Sequence, residues 1–249
     1  HRDLHLSLRR QRQMCIRDSL SLADVDEAVT ELEWCLDRGA RLIVIRPAAV
    51  WTAAGSRSPG DTVFDPFWAR VNEAGITTVV HAGDSGYTTH GYARGGGFGL
   101  NMEGRYRPSI KSFNIERAAH DWLITMSMER MYTRFPGLRV ASVENGSDYL
   151  ALLLRKLGQQ ASKTPGWFDD DPVELFRQHV WMNPFWEDDV YELVDLMGAD
   201  HVIFGSDWPH IEGMPSPLDY LTEVKELDDD DRRLVMRDNT RSLTEPRPA

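Results

Sequence analysis

Apolar residues along the chain fall into two alternating kinds of run. Residues 41–46, 76–81, 138–144, 178–182 and 201–204 are short, apolar and nearly unbroken, a pattern that predicts strands buried on both faces. Longer stretches with apolar positions every three or four residues lie between them and predict helices. Residues 21–37 carry Val25, Val29, Leu32 and Leu36 at that spacing and end at Gly39. Residues 64–74 open on Asp65 and Pro66 and stop at Gly75. Further helices are predicted over 115–135, 147–157, 187–197, 217–226 and 229–241. Strand and helix alternate five times by this reading, which predicts a parallel sheet covered by helices. Five units are too few for a closed eight-stranded barrel. An open α/β sheet and a barrel missing its beginning both fit.

Composition narrows this to one domain, since 249 residues at 41% hydrophobic can bury one sizeable core. A net charge of −11 argues against nucleic acid and against anionic membrane surfaces. No apolar run approaches the roughly 20 residues a membrane helix needs. Cys15 and Cys35 are the only cysteines, so reduced thiols and a cytoplasmic location are expected. Residues 1–19 differ from the rest: Arg9, Arg10, Arg12 and Arg17 make them basic, and they show no period. They read as a non-native segment arising from a sequence artefact, or as a disordered basic arm. The domain is expected over 20–249.

Three of the predicted strands end in a residue that carries chemistry. His81 precedes Ala82-Gly83-Asp84, Glu144 precedes Asn145-Gly146-Ser147, and Asp207 lies in Phe204-Gly205-Ser206-Asp207-Trp208-Pro209-His210. Each has a plain alternative: a hydrogen-bonded core histidine, a helix-capping acid and a turn-forming aspartate. In a parallel sheet, however, strand ends of one polarity share one side, so the three side chains can converge. Imidazole and carboxylate together suit zinc or manganese. Arg46 ends the first of these strands and can hold a substrate carboxylate through two hydrogen bonds, or stand as an outward ion pair. His210 is a candidate for lining the same pocket. The loop over 83–114, with His90, Tyr92 and Arg94, is either a substrate lid or a surface loop. Trp181, Asn183, Phe185 and Trp186 form either an aromatic pocket wall or part of the core. The run Gly95-Gly96-Gly97-Phe98-Gly99 lacks the Lys-Ser/Thr of a phosphate-binding loop, which argues against nucleotides.

Gly205-Ser206-Asp207-Trp208-Pro209-His210, Thr78-Val79-Val80-His81 and Phe135-Pro136-Gly137-Leu138-Arg139-Val140 resemble the amidohydrolase-related family, which includes aminocarboxymuconate-semialdehyde decarboxylase-like proteins. The resemblance covers nearly everything from residue 20 onward. It implies a (β/α)8 barrel of TIM type with one divalent metal ion, zinc first and manganese second. His81 would be a metal ligand on the fifth strand and Asp207 a ligand or proton acceptor closing the eighth. Two departures accompany it. The family's first strand carries a His-x-His pair, and none occurs here, since His1 and His5 are spaced otherwise. An N-terminally truncated barrel is therefore expected, with the first two to three β/α units missing and apolar strand edges exposed. Glu144 stands where many members carry a histidine, and it remains able to act as a general base. The implied activity is metal-dependent hydrolysis or decarboxylation of a small carboxylated ring compound or ring-cleavage product, with Asp207 and Glu144 handling protons. A non-catalytic barrel that only binds is the alternative. The expected partners are a small-molecule substrate and a second copy in a homodimer.

Overall fold

The computed structural model describes residues 19–83, 113–209 and 213–245. Its main sheet contains β1 (Ser19–Leu20), β2 (Leu42–Ile45), β5 (Thr77–His81), β6 (Arg139–Val143) and β7 (Val180–Met182), all parallel and ordered as in the chain. Val202 adds one parallel bridge to Met182 at the far edge. A doubly wound sheet would reverse its strand order part-way. Here the order runs in one direction, with helices between successive strands, which is the wall of a (β/α)8 barrel. Among the described residues the wall does not close on itself. Among the described residues the first strand includes Ser19, which pairs with Val44. That adds a sixth unit to the five predicted.

The helices form where local signals agree. α1 (Val25–Leu36) is capped by Asp24, whose side chain accepts from the Asp26 and Glu27 N–H groups at 3.0 and 3.2 Å. α2 (Asp65–Ala74) has proline in its first turn and ends on Gly75 at φ 60°. The helix predicted over 115–135 is two, α3 (Arg117–Met128) and α4 (Met131–Arg134), because Arg130 takes a left-handed conformation at φ 58°. Its guanidinium meets Asp169 at 2.6 Å. α5 (Leu150–Lys163) runs longer than predicted. It is followed by the unpredicted α6 (Pro172–His179), then by α7 (Val190–Met197) after β7. A hairpin of β3 (Val50–Thr52) and β4 (Gly55–Arg57), also unpredicted, follows β2.

The C-terminal region breaks into a 3-10 turn (Pro217–Thr222), α8 (Asp229–Arg233), a π-helical turn (Leu234–Asp238) and α9 (Asn239–Leu243). This region explains why the strand predicted over 201–204 is reduced to one bridge. Phe204 donates its N–H to the Val235 carbonyl at 3.0 Å. Asn239 donates its side-chain amide to the Val202 carbonyl at 2.7 Å.

The two faces of the sheet divide the core. Ile43, Ile45, Val80, Val140, Val180, Met182 and Val202 face the helices and join the main cluster with Leu32, Phe67, Trp68, Leu123, Leu153 and Phe176. On the inner face, Ala141, Trp181 and Ile203 form a smaller cluster with Leu243, joined by Val79 and Val143. Leu243 belongs to α9, which is pinned beneath the strands. The Thr77 hydroxyl donates to the Leu243 carbonyl at 2.7 Å, and the Arg139 guanidinium donates to the Ser242 and Glu245 carbonyls at 3.0 Å.

Candidate active site

Alternation along β5 and β6 places Thr77, Val79 and His81, and Arg139, Ala141 and Val143, on the inner face in three successive levels. The lowest level holds α9, the middle is apolar, and the uppermost carries His81. The strand ends above it form a rim. Ala82 extends the pairing by donating to the Val143 carbonyl at 3.1 Å, which sets the His81 exit beside the Glu144 exit. His81 Nε2 lies 3.0 Å from Glu144 Oε2, with the two side chains 45% and 27% exposed. The pair is supported from below yet open to solvent.

His81 Nδ1 is 3.2 Å from the Ala82 carbonyl. A carbonyl only accepts, so Nδ1 carries the proton and Nε2 points to the rim. Two lone-pair acceptors do not rest 3.0 Å apart without positive charge between them, so Nε2 and Glu144 share a proton in this arrangement. The histidine pKa is accordingly raised, first by the hydrogen bond to Glu144, against burial, and further by the charge of Glu144, the Ala82 carbonyl and the charge of Asp207. Asp207 is thus within electrostatic reach of His81.

Both rim acids occupy left-handed backbone, Glu144 at φ 57° and Asp207 at φ 53°. Such a conformation costs an ordinary residue about 1–2 kcal/mol, and clusters where a site requires it. Partly or fully buried polar side chains hold the Glu144 turn. Asn145 donates to the Val80 and Val143 carbonyls at 2.9 Å and to the Ser142 hydroxyl at 3.1 Å, fastening the Glu144 turn to β5. Asn183 accepts from the Glu144 N–H at 3.3 Å. Asp188 accepts from the Ser147 N–H, the Ser147 hydroxyl and the Phe185 N–H at 2.7, 3.0 and 3.0 Å. Burial raises the Asp188 pKa despite those bonds.

Among the sequence-predicted site residues, the fold brings His81 and Glu144 into contact and Asp207 into their field. Arg46 follows Ile45, which pairs with Val80, so it sits next to His81 on the same rim and is exposed. His210 and the loop residues His90, Tyr92 and Arg94 lie outside the described residues. Of the expected aromatic wall, Trp181 is buried and stacks on His201 at 4.5 Å, whereas Trp186 is 56% exposed. Asn183, 6% exposed, is a clamp and not a wall. Asn145 and Asp188 were not singled out by sequence. A carboxamide at a strand exit is the signal that could have found Asn145.

One imidazole nitrogen directed to the rim by its Nδ1 bond, with carboxylates beside it, fits a divalent metal in donor chemistry. The number of donors is short: among the described residues no group of three or more His, Cys, Asp or Glu is placed to hold a metal ion. No helix among them is long and apolar enough to cross a membrane.

A parallel barrel wall with a histidine and acids on its C-terminal rim defines the class of barrel enzymes, whose catalytic residues sit at strand ends on that face. The amidohydrolase family model matches residues 10–243, and the chain belongs to that family. It is similar to an amidohydrolase from Mycobacterium avium subsp. paratuberculosis K-10, with 39% identity and a TM-score of 0.81 over 91% of this chain and 57% of that one. A 2,6-dihydroxybenzoate decarboxylase from Rhizobium shares the fold at 17% identity and a TM-score of 0.68, over 91% of this chain and 69% of that one. So does a dihydroxybenzoic acid decarboxylase from Polaromonas sp. JS666, solved with bound manganese and the inhibitor 2-nitroresorcinol. Its identity is 15% and its TM-score 0.65, over 90% of this chain and 67% of that one. No protein of curated function matches the sequence.

Proposed function

We propose that this rim is the active site of a metal-dependent hydrolase or carboxy-lyase acting on a small carboxylated ring compound or ring-cleavage product. The observation that carries the reading is the convergence of His81, Glu144 and Asp207 at strand exits on one rim of a parallel wall, with both acids in left-handed backbone. His81 and Asp207 are the chain's ligands for one divalent ion, zinc or manganese, which would replace the proton that His81 Nε2 shares with Glu144. That ion, when bound, supplies a Lewis acid for a carbonyl or carboxylate oxygen. The named decarboxylases of the same fold, one with manganese, support that choice.

The remaining roles belong to side chains. The Nδ1–H bond to Ala82 holds the imidazole so that Nε2 faces the reacting centre. Glu144 lies 3.0 Å from His81 Nε2 and is placed to take a proton from, or return one to, a bound substrate. Arg46, beside His81, offers a fork of donors to a substrate carboxylate. His210 is assigned to the substrate by its place after Asp207-Trp208-Pro209. The protein works in the cytoplasm in this reading, as a monomer or homodimer.

The test reconstitutes the full chain with zinc or manganese and supplies a panel of aromatic acids and lactones. Metal-dependent release of CO₂ identifies a carboxy-lyase, and release of acid from lactones identifies a hydrolase. Ligand binding without turnover under either metal would overturn the catalytic reading and leave a binding module.

A further inference from the structure

We infer that Asn183 is the positioning residue for both rim acids, an inference that rests on reading the rim as catalytic. The side chain is 6% exposed and leaves the sheet immediately after β7. Its Oδ1 accepts from the Glu144 N–H at 3.3 Å, while its Nδ2 donates to the Pro184 carbonyl at 3.1 Å and the Ile203 carbonyl at 3.3 Å. One amide therefore joins the exits of three consecutive strands.

The consequences differ on its two sides. Toward β6, the bond holds the N–H of a residue at φ 57°, the conformation that carries the Glu144 carboxylate to His81. Toward the last strand, the amide lies against Gly205. A Cβ on that glycine would stand 3.1 Å from Asn183 Oδ1 and 3.2 Å from Nδ2. Gly205 is two residues ahead of Asp207, so the face of the amide sets the path of the chain into the Asp207 turn. Only a carboxamide of this length accepts on one side and donates on the other. Aspartate keeps the acceptor and loses the donor, and leucine loses both. Asn183 touches no reacting atom in this arrangement and acts through the residues it holds.

The experiment uses the full chain with 15N-labelled histidine, the His81 ring signal being the one lost in His81→Gln. Asn183→Leu and Asn183→Asp are compared with Asn239→Leu. Asn239 is an equally buried amide, which donates to the Ala199 and Val202 carbonyls at 2.7 Å on the outer edge of the same strand. Both leucine variants are expected to melt earlier. Asn183→Leu alone is expected to move the His81 Nε2 signal to where Glu144→Gln places it, with a smaller movement in Asn183→Asp. With an active substrate, kcat is expected to fall about 10–100-fold in Asn183→Leu, with KM little changed. An unmoved His81 signal in Asn183→Leu, or an equal movement in Asn239→Leu, overturns the inference. Should Asn183→Leu not fold, Asn183→Asp carries the same comparison. Movement of the signal in a protein that turns over nothing leaves the positioning role standing and rejects the catalytic reading instead.

Discussion

Replacing Gly146 by alanine tests whether the Glu144 turn is held by close packing or only by backbone preference. Gly146 sits at φ 63°, where an added Cβ costs about 1 kcal/mol against glycine. That Cβ would also stand 2.6 and 2.7 Å from Phe185 Cδ2 and Cε2, and 3.2 Å from Asp188 Oδ2. The ring would have to retreat, yet its backbone is tied to Asp188, and Asp188 to Ser147. Overpacking of this kind costs about 1–3 kcal/mol. The sum is about 2–4 kcal/mol, which for a chain of this size lowers the melting temperature by roughly 5–15 °C. Gly166→Ala is the matched control, because Gly166 has φ 80° and nothing within 4 Å of its added Cβ. It should lose only the backbone part, about 1 kcal/mol. Calorimetry of the two variants decides the matter. Equal losses would refute the packing argument, leaving the Phe185 contact without consequence.

Two further outcomes follow from single side chains. The raised pKa of His81 means that its pair with Glu144 stabilises the fold below the ordinary histidine value of 6.5 and ceases to as pH rises through the raised value. Glu144→Gln should therefore lose stability to urea relative to wild type at about pH 6 and match it at about pH 9, by a small amount because the pair is open to solvent. Tyr132 buries a hydroxyl with no partner among the described residues, on a ring stacked 5.0 Å from His179. Tyr132→Phe should melt at the wild-type temperature or above it, gaining up to about 1 kcal/mol. A loss in thermal denaturation would mean that the hydroxyl is satisfied.

The sequence reads most clearly where a local signal and a tertiary demand coincide. α1 carries an aspartate cap and α2 a proline start and a glycine stop, and β5 and β6 lie in short apolar-rich runs whose Val80 and Val140 are buried on the helix side. Long-range bonds hide other elements. Nothing near Arg130 marks a break, since its left-handed turn accompanies an ion pair with Asp169 across the fold. The final strand loses its outer bonds to Val235 and Asn239, more than thirty residues away. α6 was missed although Asp171 as cap and Pro172 in the first turn mark its start. The hairpin of β3 and β4 is too short and too exposed for any period to register. His81, Glu144 and Asp207 were legible as strand exits, whereas Asn183 was not legible as their clamp. Which groups an amide bridges depends on the register of three strands, and no spacing in the chain reports that register.

The bonds at the outer side of Val202 and Phe204 also govern how this protein can meet extended peptide. An open parallel sheet ordinarily ends in a row of unanswered backbone groups that recruits further strands, the first step of polymerisation. Here the Phe204 N–H is answered by a π-helical turn and the Val202 carbonyl by an asparagine. Among the described residues that margin is sealed by the chain's own C-terminal region, so strand addition there would first have to displace the π-helical turn and Asn239.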